Sequence, residues 1–329
     1  MAIVGIDVSK SKLDICWLKD PQAMRIKTRV FSNTDSDIRK LNDWLVSQTG
    51  KRPEAVRVMM EATGIYHERL AYALYEAGFQ VYVVNPQHVH SYAKSFGRRS
   101  KNDRKDSVII ARFLSDRQQE LPLWQPEPQE VRHLKAMLAR LNALDADIQR
   151  EQNRLEKALV QKASQRVESS IRTMIDALQQ ERKKLEQDID NHIDGTPSLK
   201  EDRRLLESIP GIGRVLSVEL MATMRSRDFK SASQVAAFLG LVPIMRQSGS
   251  SVDERPRLSK GGSSRIRAKL YMGSVVAIQH NPMIQRQFAR LVGRGKSKMS
   301  ALGAAMRKLV QIAYGVLKHQ TRYDPQWAA

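Results

Sequence analysis

The chain is nearly devoid of cysteine: Cys16 is the single thiol in 329 residues. An internal disulfide is thereby excluded, and one thiol in an apolar segment reads as a small core residue of a protein from a reducing compartment. No apolar run approaches the ~20 residues that a membrane-crossing helix requires, and the opening "MAIVGIDVSK" reads as a strand rather than a signal peptide. These absences predict a cytoplasmic protein with no membrane partner. Acidic residues are scarce in one region above all. Asp and Glu total 35 against 55 Lys and Arg, for a net charge of +20, and Arg255 to Tyr323 holds fifteen Lys or Arg without one acid. Such an excess contributes nothing to folding, so it points to a polyanion, and its extent suits nucleic acid better than anionic lipid.

What is present alternates. "AIVGIDVS", "LDICWL" and "MRIKTRVF" read as three strands, with a turn at Lys10 to Lys12 joining the first two. An Asn33/Asp35 cap opens a helix through Leu41, Trp44 and Leu45. "AVRVMME" reads as a fourth strand, Ile65 to Ala77 as a helix, and "FQVYVV" as a fifth strand stopped by Asn85-Pro86. Three strands, a helix, then alternating strands and helices is the order of a ribonuclease-H-like α/β fold. The Pro-rich "LPLWQPEPQE" marks a boundary near residue 125. Beyond it, Leu134, Leu141, Ile148 and Leu155 fall seven apart, and no Pro or Gly interrupts Val131 to Ile193. That predicts a long helix or helical hairpin of coiled-coil character over 126–195, with Asp145 and Gln152 as polar breaks in its seam. "DGTPS" closes it, and 196–329 reads as helical and basic, interrupted by loops at "QSGSSV" and "SKGGSSR".

Four carboxylates carry the chemistry of the first part. In a ribonuclease-H-like fold the ends of the first and fourth strands lie side by side, which would bring Asp7 of "VGIDVSK" next to Glu61 of "MMEATG". Asp103 and Asp106, three positions apart, share a face if "DRKDSVIIARFL" starts a helix. Acids gathered this way repel unless a cation lies among them, and an oxygen-only ligand set selects Mg²⁺ or Mn²⁺. Two such ions about 4 Å apart stabilise both oxygens of a phosphodiester displacement. The surrounding Arg98, Arg99, Lys101, Arg104 and Lys105 would then hold the phosphate backbone. Taken singly, any of these aspartates reads more readily as a helix cap or a surface salt-bridge partner than as a catalytic group.

Two further stretches stand out. "LLESIPGIGRVLS" has the Gly spacing of a helix-hairpin-helix, in which Gly211 and Gly213 let backbone N–H groups approach a phosphate; the plainer reading is a helix corner punctuated by Pro and Gly. "IMRQSGSSVDERPRLSKGGSSRIR" reads as a basic, Ser-rich loop that offers Arg255, Arg257, Lys260, Arg265 and Arg267 to nucleic acid. Spacing alone singles out no serine there as a nucleophile, and no His or Asp partner for a triad is evident.

"GIDVSK", "EATG", "NDRKD", "SIPGIG", "AAFLGLVP" with "SGSS", and "MRKLVQIAYGVLK" occur in that order along the whole chain. The set resembles the DEDD transposases of bacterial insertion sequences, the IS-one-ten family of RNA-guided recombinases. The resemblance implies a RuvC-like metal-binding domain over 1–125, the coiled-coil connector, and a C-terminal transposase domain over 196–329. Carried over by position, it makes Asp7, Glu61, Asp103 and Asp106 the metal-binding tetrad. It places the nucleophile on the first serine of "QSGSS", Ser248, with Ser250 and Ser251 as its neighbours. It further implies a covalent phosphoserine link to DNA, a structured guide RNA that pairs with donor and target DNA, and a homo-oligomer of dimers assembling to a tetramer. Three other readings compete with it. A junction nuclease would use the acids and water without a serine. An actin-like or sugar-kinase ATPase would share the opening "IVGIDVSKSKLDI" but needs a later Gly-rich phosphate loop that is absent. A nucleic-acid-binding scaffold would be indifferent to loss of the acids.

Overall fold

The computed structural model describes residues 1–95, 103–248 and 252–326, with the backbone alone for 103–105, 245–248 and 252–256. It divides into two units, Met1–Pro126 and Glu127–Ala329.

The first unit is built on a five-stranded sheet. β1 (Ala2–Val8), β2 (Lys12–Asp20) and β3 (Arg25–Ser32) form an antiparallel meander, followed by α1 (Asp35–Thr49). β4 (Val56–Glu61), α2 (Glu68–Glu76), β5 (Gln80–Val84), α3 (Pro86–Ser95) and α4 (Asp103–Arg117) complete it. The strand order is β3-β2-β1-β4-β5, with β1, β4 and β5 parallel to one another. Both faces of β1 are covered, which is why its sequence reads as a continuous apolar run rather than an alternation. Val4, Ile6 and Val8 pack with Val56, Val58 and Met60 on the face that takes Leu41, Trp44 and Leu45 of α1 and Leu70 and Leu74 of α2. Ile3, Cys16, Leu18, Met59, Tyr82 and Val84 form the other face, under Ile109, Ile110, Phe113 and Leu114 of α4.

Two local expectations are corrected. The cap of α1 is Thr34, whose hydroxyl accepts from the Asp37 N–H at 3.3 Å. Asn33 is instead buried, its amide donating to the Ser9 and Tyr66 carbonyls at 3.0 and 3.1 Å. The second helix starts at Glu68 rather than Ile65, because Thr63 to His67 are used in a turn off the end of β4.

Gly5 decides how closely α4 lies on the sheet. A Cβ there would stand 2.4 Å from the Ser107 carbonyl oxygen and 2.3 Å from the Ala111 nitrogen. Both are backbone atoms that no rotamer change can move. Gly5→Ala is expected to destabilise the first unit by about 3 kcal/mol, at the upper end of overpacking costs, read as a shift in the urea midpoint. Cys16 lies under the same helix, fully buried, and burial pushes its thiol up to about 12. Native protein at pH 8 is expected to be inert to a disulfide reagent that titrates one thiol after denaturation.

The second unit is helical except for one hairpin. α5 (Gln129–Val160) and α6 (Gln165–Asp194) pack as a helical hairpin, followed by α7 (Pro197–Glu207), α8 (Arg214–Arg225) and α9 (Ala232–Phe238). β6 (Pro243–Ser248) and β7 (Val252–Leu258) pair antiparallel, where the sequence had read only as loop. α10 (Ser264–His280), α11 (Pro282–Gly293) and α12 (Lys298–His319) close the unit. The base of the hairpin belongs to this core: Val131, Leu134, Leu138, Ile189 and Ile193 cluster with Leu206, Leu220, Leu270, Leu309 and Val310. The seam opens toward the tip, where Leu159, Val160, Val167 and Met174 are exposed. Asp145, a polar break in the seam, takes the Arg182 guanidinium across the hairpin at 2.6 Å. Asp202 is fully buried and accepts from Nε and Nη2 of Arg225, at 2.5 and 2.8 Å, and from the Gln320 amide at 3.0 Å, tying α7 to α8 and to the end of α12. Among the described residues, no helix is long and apolar enough to cross a membrane.

Candidate nucleic-acid-processing site

Side chains alternate across a strand, so residues two apart share a face. On β1 that rule puts Asp7 with Gly5 and Ile3, on the α4 side of the sheet. On β4 it puts Glu61 with Met59, on the same side. Ile6 pairs with Met60 in the parallel register, so one step further brings Asp7 and Glu61 abreast at the ends of adjacent strands. The "EATG" turn keeps them there: the Thr63 hydroxyl donates to the Val8 carbonyl at 3.1 Å, and the Ala62 N–H to the Val84 carbonyl at 2.9 Å. The close approach at Gly5 docks α4 on this face: the Ser107 carbonyl lies against Gly5, and Asp106 is the residue before it in the helix. Asp7, Glu61 and Asp106 are each half-buried, exposed enough to meet a substrate and desolvated enough for their charges to count.

Asp103 opens α4, one turn ahead of Asp106. Its side chain, and those of Arg104 and Lys105, are outside the described residues, as are Arg98, Arg99 and Lys101 entirely. Among the described residues, no three His, Cys, Asp or Glu side chains are gathered closely enough to hold a metal ion. Asp7 and Glu61, abreast at two strand ends, are oxygen donors of the kind that a hard divalent cation takes.

One acid escaped the sequence reading. Asp14 is directly opposite Asp7 in the antiparallel β1–β2 pair and shares the α4 face with Cys16 and Leu18. Asp14 is only 6% exposed, and the Lys12 ammonium stands 3.0 Å from its carboxylate. The available signal was the hairpin register, which depends on where the Ser9 turn ends. Ser9 and Lys12 close that turn through the Ser9 N–H to the Lys12 carbonyl at 2.9 Å and the Lys12 N–H to the Ser9 hydroxyl at 3.1 Å.

In the second unit, Ser248 is the last residue of β6 and pairs with Val252 at the start of β7. It therefore stands at the tip of a hairpin; Ser250 and Ser251 lie outside the described residues. Of the predicted basic contacts, Arg257, Lys260 and Arg265 are exposed, and Arg255 lies in β7 with no described side chain. Arg267 is turned to a different use. Its Nη1 donates to the Gly261, Gly262 and Leu239 carbonyls at 2.8, 3.1 and 3.4 Å, holding the loop ahead of α10. Gly211 likewise has a packing reason. Its φ is +101°, and a Cβ would stand 2.6 Å from the Gly273 oxygen and the Ala277 Cβ of α10, so the "SIPGIG" corner is where two helices meet. Gly213 is exposed, with open space around it at the start of α8.

Comparison with known proteins bears on the whole chain. Residues 4–163 match the family model of IS110-type DEDD proteins, described as "Transposase", and residues 203–289 match "Transposase IS116/IS110/IS902 family". The chain is 31% identical over 323 residues to the pilin gene-inverting protein of Moraxella bovis, covering 98% of this chain and 97% of that protein. The pilin gene-inverting protein of Moraxella lacunata is 30% identical over the same length. The transposase for insertion sequence element IS1111A of Coxiella burnetii is 23% identical over 305 residues, 84% of this chain and 78% of that protein.

Proposed function

This chain belongs to the IS110 family of DEDD transposases, enzymes that cut DNA and transfer strands, and on that premise we propose a covalent route. Ser248 is the nucleophile, and Asp7, Glu61, Asp103 and Asp106 hold the Mg²⁺ or Mn²⁺ that supports it. The observation that carries the metal part of this reading is the placement of Asp7 and Glu61 abreast at two strand ends, with α4 docked against Gly5 of β1. The strand order and the covering helix favour a RuvC-like reading of the first unit.

The chemistry balances without external energy. The Ser248 Oγ attacks a backbone phosphorus, its proton passes to a base or solvent, and an Oγ–P bond forms as one P–O bond to deoxyribose breaks. The displaced oxygen leaves as a hydroxyl. A hydroxyl of the second strand then attacks the phosphoserine, which rebuilds a phosphodiester and frees the serine. A bound divalent cation would supply charge neutralisation at the phosphate and at the leaving oxygen. The carboxylates bind and orient that charge, and the exposed Arg257, Lys260 and Arg265, with Gly213 at the start of α8, grip the backbone without reading bases. Arg267 is left out of this set, since its guanidinium holds a loop.

A structured guide RNA and a homo-oligomer complete the proposal. The apolar residues left exposed at the hairpin tip, among them Val160 and Met174, support self-association through α5 and α6. The pilin gene-inverting relatives favour including inversion between recombination sites among the outcomes, since inversion and insertion need the same cut-and-rejoin step. The test is to incubate the protein with Mg²⁺, element-end DNA and RNA from the adjoining noncoding region, and to look for protein covalently joined to DNA on a denaturing gel. An adduct mapping to Ser248 by mass spectrometry is expected. Cleaved DNA with free ends and no adduct would make this a water-using nuclease.

A further inference from the structure

We propose that Asp14, held in place by Lys12, is a positioning residue that strengthens divalent-cation binding by the carboxylates at the strand ends. This rests on the reading of Asp7, Glu61, Asp103 and Asp106 as cation ligands.

The argument begins with register. Asp7 and Asp14 are partners in the β1–β2 pair, so both side chains leave the same face of the sheet from directly opposed positions. Opposed residues in an antiparallel pair have Cβ atoms about 5 Å apart, and two like charges there oppose folding. Asp14 adds a second cost, because it is 6% exposed and a carboxylate so desolvated needs a partner. A strand built only to be stable would carry an apolar residue here, as it does at Cys16 and Leu18 on the same face. Lys12 offsets the desolvation at 3.0 Å. It is two residues before Asp14 on the same strand, and so shares its face. Its side chain is 40% exposed against 9% for Asp14, so the ammonium lies to the solvent side and the carboxylate to the inner side of the pair.

That arrangement makes one negative charge fixed and buried beside Asp7, and one positive charge on the rim. The buried charge raises the attraction of the site for a divalent cation and restricts where the Asp7 carboxylate can turn. The rim ammonium sets the opposite sign, tempering the acidic cluster when no cation is bound. Partners of this kind behind metal ligands typically govern affinity by 10- to 100-fold, and about the same is expected here.

Mn²⁺ binding to the full-length protein, measured by calorimetry, separates the possibilities. Asp14→Asn keeps the shape and an acceptor for Lys12 while removing the charge, and is expected to weaken Mn²⁺ binding about 10-fold or more, with a thermal midpoint no lower than that of the parent chain. Lys12→Gln, which keeps a hydrogen-bond donor for Asp14 while removing the positive charge, is expected to do the reverse, tightening Mn²⁺ binding a few-fold; it also serves as the test if Asp14→Asn does not fold. Opposite signs are the signature of positioning by charge. Equal weakening by both variants would mark a fold-supporting ion pair and overturn the proposal, as would Mn²⁺ binding that neither variant moves. Asp7→Asn and Asp106→Asn run beside them. If these two leave Mn²⁺ binding intact, the assignment of the metal ligands itself fails. If they abolish it while Asp14→Asn has no effect, only the role of Asp14 falls.

Discussion

Ser248→Ala is expected to eliminate the covalent protein–DNA adduct and to lower strand exchange by about 10⁴-fold or more, the scale of loss when a serine nucleophile is removed. A serine hydroxyl is a weak nucleophile that an enzyme must activate, and alanine leaves no atom to bond to phosphorus. The fold has little stake in the substitution, because Ser248 is the end residue of β6 at the hairpin tip. DNA binding should therefore survive, measured by salt-dependent retention of element-end DNA, while adduct and product vanish together. Adduct formation that persists in Ser248→Ala would move the nucleophile to another residue, with Ser250 and Ser251 next in line. Cleavage that persists with no adduct would show that water does the work.

Asp7→Asn is expected to lower the rate by about 10³-fold, since a cation at a phosphoryl centre is worth several kcal/mol of charge stabilisation in the transition state. The substitution preserves size and leaves β1 in its register, so circular dichroism and the urea midpoint should stay near those of the parent chain. The effect should fall on both adduct formation and strand exchange, which places the metal before the covalent step. An Asp7→Asn protein that still forms the Ser248 adduct at full rate would separate the carboxylates from the chemistry. A loss seen only with a large drop in stability would mean that Asp7 is a structural residue.

The first unit was legible because its local signals agreed. β1, β2, β3, β4 and β5 each carry a short apolar or alternating run ended by turn residues, and all five form where those runs lie. The hairpin of β6 and β7 was not legible. "PIMRQS" and "VDERPRL" are largely charged and polar and carry no alternating apolar run in sequence, so their pairing as strands had no sequence signal. The start of α2 was missed for a related reason: Ile65 and Tyr66 suit a helix, yet they are exposed in the turn that follows Glu61.

By itself the sequence determined the composition of this protein's chemistry. It holds a basic surplus that suits nucleic acid, an acid-free stretch from Arg255 to Tyr323, and motifs in family order that lead to a transposase. Only the tertiary structure decided which residues stand together. Gly5 is unremarked in a one-dimensional reading, but it lets α4 lie directly on β1, with Ser107 and Ala111 against it. Asp14 is seven positions from Asp7 in the chain and directly across from it in the sheet. Arg267, one more basic residue in a basic run, is drawn inward by three carbonyls. The physical reason is common to all three. Residue type follows from the codon, whereas face, register and partner follow from how strands pair and helices dock, and a shift of one residue in either would send these side chains elsewhere.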